Sequence, residues 1–418
     1  MLKYTRIVMI AVLCLAIVGC ERHEASPTTI TVIHAWGSTE ADHVAMRDIY
    51  QDFQEANPDI NIEFIAMPTR DEMIAKLEDM IIVGNIPDVV DFGGMGENYV
   101  YNFMVENDML IDVMPYIEED AEFASSISQS NLQYWTTEDK QLYNVSYVLS
   151  LGGGYWYNMD ILEATGIDQI PTEWDGFFDM CNRIDLWAQD TGESIRVIQP
   201  SAEGYLYFVD HILMDDVKEY RFSLNSRVSD FSDENIEIAI ERIKRLYAYT
   251  TTEGTQYSYR DETSLFNQGQ IAIYVNGVWG ASMISDDITA SYALLPTDSN
   301  ISTSCQSACL GYVMGDTKDD GRQEASIRFL QYMMSEDVQR EIFDASGQIP
   351  ADFENIVDSY EDNSSKIYLA AQTVLEATRK IEVTDNFWSA EQKSQMQNSI
   401  LEMLSGELKE QDFKRLLE

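Results

Sequence analysis

Three short segments of this 418-residue chain combine an aromatic side chain with small neighbours. The segments are Trp36-Gly37, Phe92-Gly93 and Asn276-Gly277-Val278-Trp279. A ring on a glycine-flanked loop can present its face to a crevice and stack on an apolar surface of a ligand. Each ring alone is better explained by core packing, but three at equivalent positions favour a shared site.

The elements that position these rings are predicted strands, because each segment follows a short apolar run. In parallel sheets, ligands bind in the loops at the carboxyl ends of the strands. Strand and helix patterns alternate along the chain, which predicts parallel sheets with helices on both faces. The predicted strands include Ile30–Ile33, Ile60–Ile65, Pro87–Val90, Gly154–Tyr157 and Ile271–Val275. The predicted helices include Ala45–Ala56, Met73–Ile82, Ile236–Tyr249, Glu324–Phe343 and Ser389–Ser405.

Cys20 follows a short apolar stretch, Ile7–Val18, that is preceded by Lys3 and Arg6. Basic residues before an apolar stretch are typical of a secretory signal peptide, and this stretch is too short to span a bilayer. The cysteine after a small residue resembles the lipobox of bacterial lipoproteins. We therefore expect a signal peptide over 1–19, lipidation of Cys20, a linker over 20–28, and attachment to the extracellular face of the cell membrane. The alternative is an ordinary secretory signal with a chance cysteine.

The amino-acid composition argues against several classes of binding partner. Asp and Glu outnumber Lys and Arg by 72 to 27, giving a formal net charge of −45. Such a charge repels nucleic acid, anionic lipid headgroups and polyanionic ligands, although it also keeps an exported protein soluble. The 45% hydrophobic content excludes a disordered chain, and the length favours two or more domains.

Cysteine and histidine patterns predict neither a metal site nor a cofactor. Cys181, Cys305 and Cys309 would remain after signal cleavage and lipidation, an odd number that excludes a full disulfide framework. Cys305 and Cys309 could pair, but buried thiols are expected. The chain has no HExxH or CxxC zinc motif. Asp316 could begin a calcium-binding loop, but Lys318 and Ile327 stand at positions where that loop needs ligand residues.

Several motifs together resemble the bacterial extracellular solute-binding proteins of carbohydrate-type ABC importers, the maltose-binding-like group. Each motif is weak alone, but their order behind a lipobox is specific, and the resemblance extends from Thr28 to Glu418. The segments that carry it are Tyr157–Leu162 with Gly166, Pro171–Trp174, Phe266–Ala272, Asn276–Trp279, Leu295-Pro296 and Glu324–Glu336.

The resemblance implies an α/β, two-lobed periplasmic-binding-protein-like fold of type II. Each lobe would be a mainly parallel sheet flanked by helices, and a three-segment hinge would join the lobes. We expect lobe 1 over 29–149 plus 294–334, and lobe 2 over 154–290 plus 336–418. The crossings would lie near Leu149–Gly153, Ala290–Leu294 and Ser335. Gly152–Gly154 would supply a permissive backbone or a simple turn.

The resemblance also implies site residues in the cleft between the lobes. Phe92, Trp279, Trp388 and, in a poorer register, Tyr205 fall on positions of stacking aromatics. Trp388 lies just before a predicted capping box. The apolar residue that would pack against it in a hydrophobic staple is missing, so local packing does not readily explain this ring. Trp36 is a further candidate ring on the crevice loops. The polar candidates on these loops are Ser38, Glu40, Asp91 and Asn276. Each polar candidate could equally be a helix cap or a solvated loop residue.

The implied function is capture of a sugar or oligosaccharide and delivery to an ABC permease in the membrane, by a monomer without a cofactor. The ATPase would be another chain, because no GxxxxGK[ST] motif is present. Leu151 stands where maltose-type members carry a carboxylate, which leaves the ligand open. The alternatives are a binding protein for a peptide or polyamine, or a surface-anchored glycoside hydrolase with two carboxylates across the cleft.

Overall fold

The computed structural model describes residues 26–96, 98–215, 233–250, 257–298, 301–346, 348–353, 364–381 and 390–417. The predicted signal peptide, Cys20 and Trp388 lie outside these residues. Within the described ranges, no helix has both the length and the apolar character needed to cross a membrane.

The described residues form strands and helices that alternate along most of the chain. The strands are β1 Thr28–His34, β2 Ile60–Ala66, β3 Val89–Met95, β4 Asn144–Val145, β5 Leu149–Gly152, β6 Gly154–Asn158, β7 Arg196–Ile198, β8 Ile271–Tyr274, β9 Ala290–Leu294, β10 Thr303–Ala308, β11 Leu310–Met314 and β12 Arg379–Ile381. The helices are α1 Ala41–Ala56, α2 Arg70–Ile82, α3 Tyr99–Glu106, α4 Met114–Glu119, α5 Ala121–Ser126, α6 Gln129–Trp135, α7 Met159–Ala164, α8 Trp174–Thr191, α9 Ala202–Asp215, α10 Asp233–Tyr247, α11 Tyr259–Asn267, α12 Asp320–Met333, α13 Glu336–Ser346, α14 Lys366–Leu375, α15 Ala390–Ser405 and α16 Glu410–Leu417, with a 3-10 helix at Val278–Met283.

The first sheet has the order β2-β1-β3-β11-β4. Strand β1 runs parallel to β2 and β3, whereas β11 is antiparallel to both β3 and β4. In this sheet, β11 is therefore the described strand that runs against the others. Ile30, Val32 and Ile33 of β1 are fully buried, because helices cover both faces of the sheet. The cluster around them extends through 148 and returns from 308 to 342.

The second sheet has the order β7-β8-β6-β9, and here β6 is the strand that runs against the others. Successive side chains of a strand point to opposite faces, and β6 shows this directly. Tyr155 packs on Phe177 of α8 in one hydrophobic cluster. Trp156 packs on Tyr292 of β9 in another cluster. The second sheet thus separates two apolar layers.

Strands β5 and β10 connect the two sheets. β5 leads from β4 to β6, and β10 leads from β9 to β11. The two connecting strands pair antiparallel with each other, with Cys305 opposite Gly152 and Ala308 opposite Leu149. β12 adds to the other edge of β10 in parallel. We use the term hinge ribbon for the paired strands β5 and β10.

Two of the three predicted crossings are misplaced. Ala290–Leu294 is β9, which pairs along its whole length with β6 inside the second sheet, so the chain crosses later, at β10. The break at Ser335 separates two helices of the same lobe. Helix α13 packs on α1, with Val338 and Ile342 in the cluster of the first sheet. Residues 294–298 thus continue from the second sheet, and residues 336–342 belong with the first.

The three consecutive glycines at the start of β6 have two different roles. Gly153 has a φ of +84°, a left-handed conformation that favours glycine. A Cβ there would also lie 2.7 Å from the backbone nitrogen of Cys305. Gly152 and Gly154 are needed for close approach, since a Cβ would overlap the Tyr207 hydroxyl or the Ala293 carbonyl. The segment is therefore a tightly packed crossing rather than a simple turn.

Gly153→Ala is expected to destabilise the protein more than Gly84→Ala. Gly84 has a similar φ of +73°, but a Cβ there would meet nothing within 4 Å. The control should lose about 1 kcal/mol for its backbone conformation, and Gly153→Ala about 2 kcal/mol more for overpacking against β10. Urea unfolding measures both values. Equal losses would show that β10 yields to the extra methyl group.

Candidate functional site

The buried carboxyl group of Asp91 joins the carboxyl ends of β1 and β3. Its Oδ2 accepts hydrogen bonds from Trp36 Nε1 at 2.5 Å, from the Tyr50 hydroxyl, and from the Tyr147 hydroxyl at 3.3 Å. Its Oδ1 accepts the Gly93 N–H at 2.8 Å. Burial raises the pKa of Asp91, and these hydrogen bonds oppose the rise. Asp91 was predicted to contact the ligand, but it has no exposed surface and instead fixes the loops.

Trp36 lies against the neighbouring loop rather than free in a crevice. A Cβ on Gly93 would be 3.1 Å from Cζ2 of the Trp36 ring. The side chain is 3% exposed, so almost none of its ring is available for stacking. Gly93 of β3 thus makes room for the ring that follows β1.

Two arginines stabilise the main chain of these loops. Arg47 donates to the Trp36 carbonyl and, at 2.8 Å, to the Ser38 carbonyl. Arg70 donates to the Gly93 carbonyl at 2.6 Å. Charge-assisted hydrogen bonds of this kind are stronger than neutral ones. The main chain at the carboxyl ends of β1 and β3 is therefore held at several points by internal hydrogen bonds.

Glu40 connects the first lobe to the second. Its Oε1 accepts a hydrogen bond from Arg260 of α11 at 3.0 Å, and its Oε2 lies 3.4 Å from the Ser38 hydroxyl. Both members of the ion pair are largely exposed, so the pair adds little to the free energy of unfolding. The ion pair is more informative about geometry, because it shows that the loop after β1 lies next to α11.

Glu40, Asp42 and His43 are a group in the described part of the chain whose potential metal-ligand atoms all lie within 4.8 Å of one another. His43 Nδ1 accepts the Ser38 N–H at 3.2 Å, and Glu40 pairs with Arg260. These internal contacts explain why the three side chains lie close together, so the group is part of the local structure after β1.

In the second lobe, the fully buried carboxyl group of Glu262 joins the ends of β7 and β8. Its Oε2 accepts the Ser201 N–H at 3.0 Å, and its Oε1 accepts the Val275 N–H at 3.3 Å. Burial raises the pKa of Glu262 to about 8. Sequence reasoning missed this residue, because it is one of 72 acidic residues and stands in an ordinary helix pattern.

Asn276 and Trp279 shape the loop after β8. Asn276 is 3% exposed; its Oδ1 accepts the Gly277 N–H at 2.9 Å, and its Nδ2 donates to the Tyr274 hydroxyl at 2.5 Å. It therefore holds the turn. The Trp279 ring packs over Gly277, as a Cβ there would overlap it, but the side chain stays partly exposed. Trp279 is thus a predicted ring that still has surface for a ligand.

Two predicted stacking residues are wrong. Phe92 has no exposed surface and packs edge-on against Tyr101, with ring centroids 6.4 Å apart. The reason is that β3 continues to Met95, so Phe92 lies inside a strand and not on the loop. Tyr205 is 1% exposed and faces the hydrophobic layer beneath α9. Tyr207, two residues later, is the half-buried tyrosine that reaches the crossing.

The sequence model of the bacterial extracellular solute-binding proteins matches residues 48–358 of the chain. The chain belongs to this family. It is 21% identical over 347 residues to YcjN of Escherichia coli (strain K12), which is named as a candidate periplasmic-binding protein of an ABC transporter; the match covers 80% of this chain and 75% of YcjN.

Solved structures show the same fold. A Streptococcus pneumoniae solute-binding protein in complex with the blood group A trisaccharide superposes with a TM-score of 0.73 at 19% identity, covering 93% of this chain and 98% of that one. Maltose-bound MalE3 of T. maritima gives a TM-score of 0.71 at 18% identity, with 93% and 98% covered. The predicted α/β fold, two-lobed and of type II, is therefore confirmed.

Family membership decides the broad function. The chain is a solute-binding protein of an ABC importer, and it is a binding protein rather than an enzyme, as its family is. The buried carboxyl groups of Asp91 and Glu262 accordingly have a structural explanation: each organises the binding loops of one lobe.

Glu262→Gln is expected to change how stability depends on pH. Because the folded pKa of about 8 lies above the ordinary value of 4.5, the folded state binds the proton more tightly than the unfolded state. The stability from this group is complete below pH 4.5 and is lost as pH rises towards 8. The free energy of unfolding of the native chain, relative to that of the Glu262→Gln variant, should therefore fall between pH 4.5 and 8.

Urea unfolding at a series of pH values measures this difference. Glu193→Gln is a suitable control, since Glu193 is an exposed carboxylate in the same lobe. A constant difference between the native and Glu262→Gln chains across this range would contradict the raised pKa.

Proposed function

We propose that this solute-binding protein captures a sugar or oligosaccharide between its lobes and delivers it to the permease of an ABC importer. The observation that carries the proposal is the partly exposed ring of Trp279 in the segment after β8, together with the contact that α11 of the same lobe makes with Glu40 of the other lobe. Glu262 bonds the strand end just before that loop, and Arg260 on the same helix pairs with Glu40. From these two contacts we infer that the loops that follow β1 and β8 face a common space.

The chemistry of this space suits a sugar. A sugar has an apolar C–H face, which a ring can cover, and a rim of hydroxyl groups, which polar side chains can bind. We propose Trp279 as the stacking ring and Ser38 and Glu40 as hydrogen-bonding groups. Trp36, Asp91 and Asn276 would position these groups. The carbohydrate complexes of the two structural neighbours support the same ligand class.

Capture would proceed by closure of the lobes. A ligand that contacts both lobes stabilises the closed arrangement by its difference in affinity for the closed and open forms. The closed form would then dock on the permease as a monomer. Lipidation of Cys20 would hold the receptor at the extracellular face of the membrane, where a short linker keeps it at high effective concentration near that partner.

A thermal-shift panel tests the ligand class. We expect stabilisation by at least one of blood group A trisaccharide, maltose, raffinose, xylotriose and chitotriose. A ligand at 100 times its dissociation constant adds about 2.7 kcal/mol, which raises the Tm by several degrees. Stabilisation by spermidine or a tripeptide alone would favour the polyamine or peptide alternative. Turnover of any panel sugar would favour a hydrolase.

Trp279→Ala is expected to weaken binding of the responding panel sugar about tenfold, since a stacked ring contributes about 0.5–1.5 kcal/mol beyond its buried area. Trp187→Ala is the matched control, because Trp187 is also half-buried in the second lobe but stands on α8. Isothermal titration calorimetry measures both. Trp388→Ala, chosen from sequence, should act like Trp279→Ala. Native affinity in both the Trp279 and Trp388 variants would place the site elsewhere.

A further inference from the structure

The hydroxyl group of Tyr207 lies where the chain first crosses between the lobes. It accepts hydrogen bonds from the N–H groups of Gly153 and, at 3.2 Å, of Gly154. Its oxygen is 3.5 Å from the Tyr292 hydroxyl on β9. A side chain from α9 therefore holds the junction between β5 and β6.

The hydroxyl of Tyr207 accepts two backbone hydrogen bonds. A tyrosine hydroxyl can accept two hydrogen bonds and donate one. The two glycine N–H groups occupy the accepting positions, and the Tyr292 oxygen lies 3.5 Å away, where either hydroxyl could donate. Tyr207 thus ties the first crossing to two elements of the second lobe, α9 and β9.

The second crossing passes the same point. The backbone of β10 lies so close to Gly153 that a Cβ would be 2.7 Å from Cys305 N and 3.0 Å from Ser304 Cα. Cys305 is also the residue of β10 that pairs with Gly152. Tyr207 therefore contacts the hinge ribbon at the end nearest the second lobe.

We propose that Tyr207 is a hinge-positioning residue: its hydroxyl clamps the first crossing to the second lobe and so fixes the point about which the lobes rotate. The inference deepens the proposed capture by lobe closure, but it does not depend on which solute is bound. Residues beyond the clamp move with the second lobe, and motion is confined to the hinge ribbon.

The test compares Tyr207→Phe with Tyr155→Phe in the ligand-free mature chain. Tyr155 is the matched control because it is fully buried in the same lobe and its hydroxyl has no hydrogen-bond partner among the described residues. Spin labels at Asp139→Cys and Glu193→Cys, both exposed positions in different lobes, report the distance between the lobes. Cys20→Ser removes the anchor thiol, and Cys181, Cys305 and Cys309 are buried.

Pulsed electron resonance should show that Tyr207→Phe raises the population outside the main distance peak about tenfold, since two hydrogen bonds are lost. Tyr155→Phe should keep the native distribution. The proposal is overturned by a native distribution in Tyr207→Phe, by equal broadening in both variants, or by loss of the fold in Tyr207→Phe. Because no solute is added, a failed sugar panel leaves this test unaffected, and the panel can likewise succeed when the clamp fails.

Discussion

Burial of a carboxyl group is costly unless donors surround it, and Asp91 imposes this requirement on the first lobe. It lies on the central strand β3 and draws its donors from the loop after β1, from α1 and from the segment before β5. Glu262 imposes the same requirement on the loops of the second lobe. Each lobe therefore has loops at its strand ends that are fixed by an internal acid.

The alternation of strand and helix patterns and the family motifs were sufficient to predict the fold, because both are local properties of the chain. The orientation of the rings was not predictable in this way. Trp36 stands beside Gly37 in sequence but packs on Gly93, whereas Trp279 packs on its own neighbour Gly277. A glycine near a ring can free the ring or receive it, and only the tertiary structure distinguishes the two.

The positions of the crossings between the lobes were also not predictable from local sequence patterns. Ala290–Leu294 has the pattern of a strand, and the sequence does not say whether it joins a sheet or connects two. Its partner is β6, which lies far away along the chain. Likewise, the sequence pattern predicts one helix over Glu324–Phe343, whereas the chain breaks at Ser335 and the next helix packs on α1 through apolar contacts with a distant segment. Register and partner choice are non-local, so the hinge boundaries could not be derived.

The pairing of β5 with β10 has a mechanical consequence. Two separate linkers would allow the lobes to slide, tilt and swivel independently, whereas strands joined by a ladder of hydrogen bonds resist shear and yield mainly by twisting and bending together. The paired strands therefore restrict the ways in which one lobe can move against the other. In the proposed capture, this restriction would convert the arrival of a solute into one definite change of shape that a second protein could recognise.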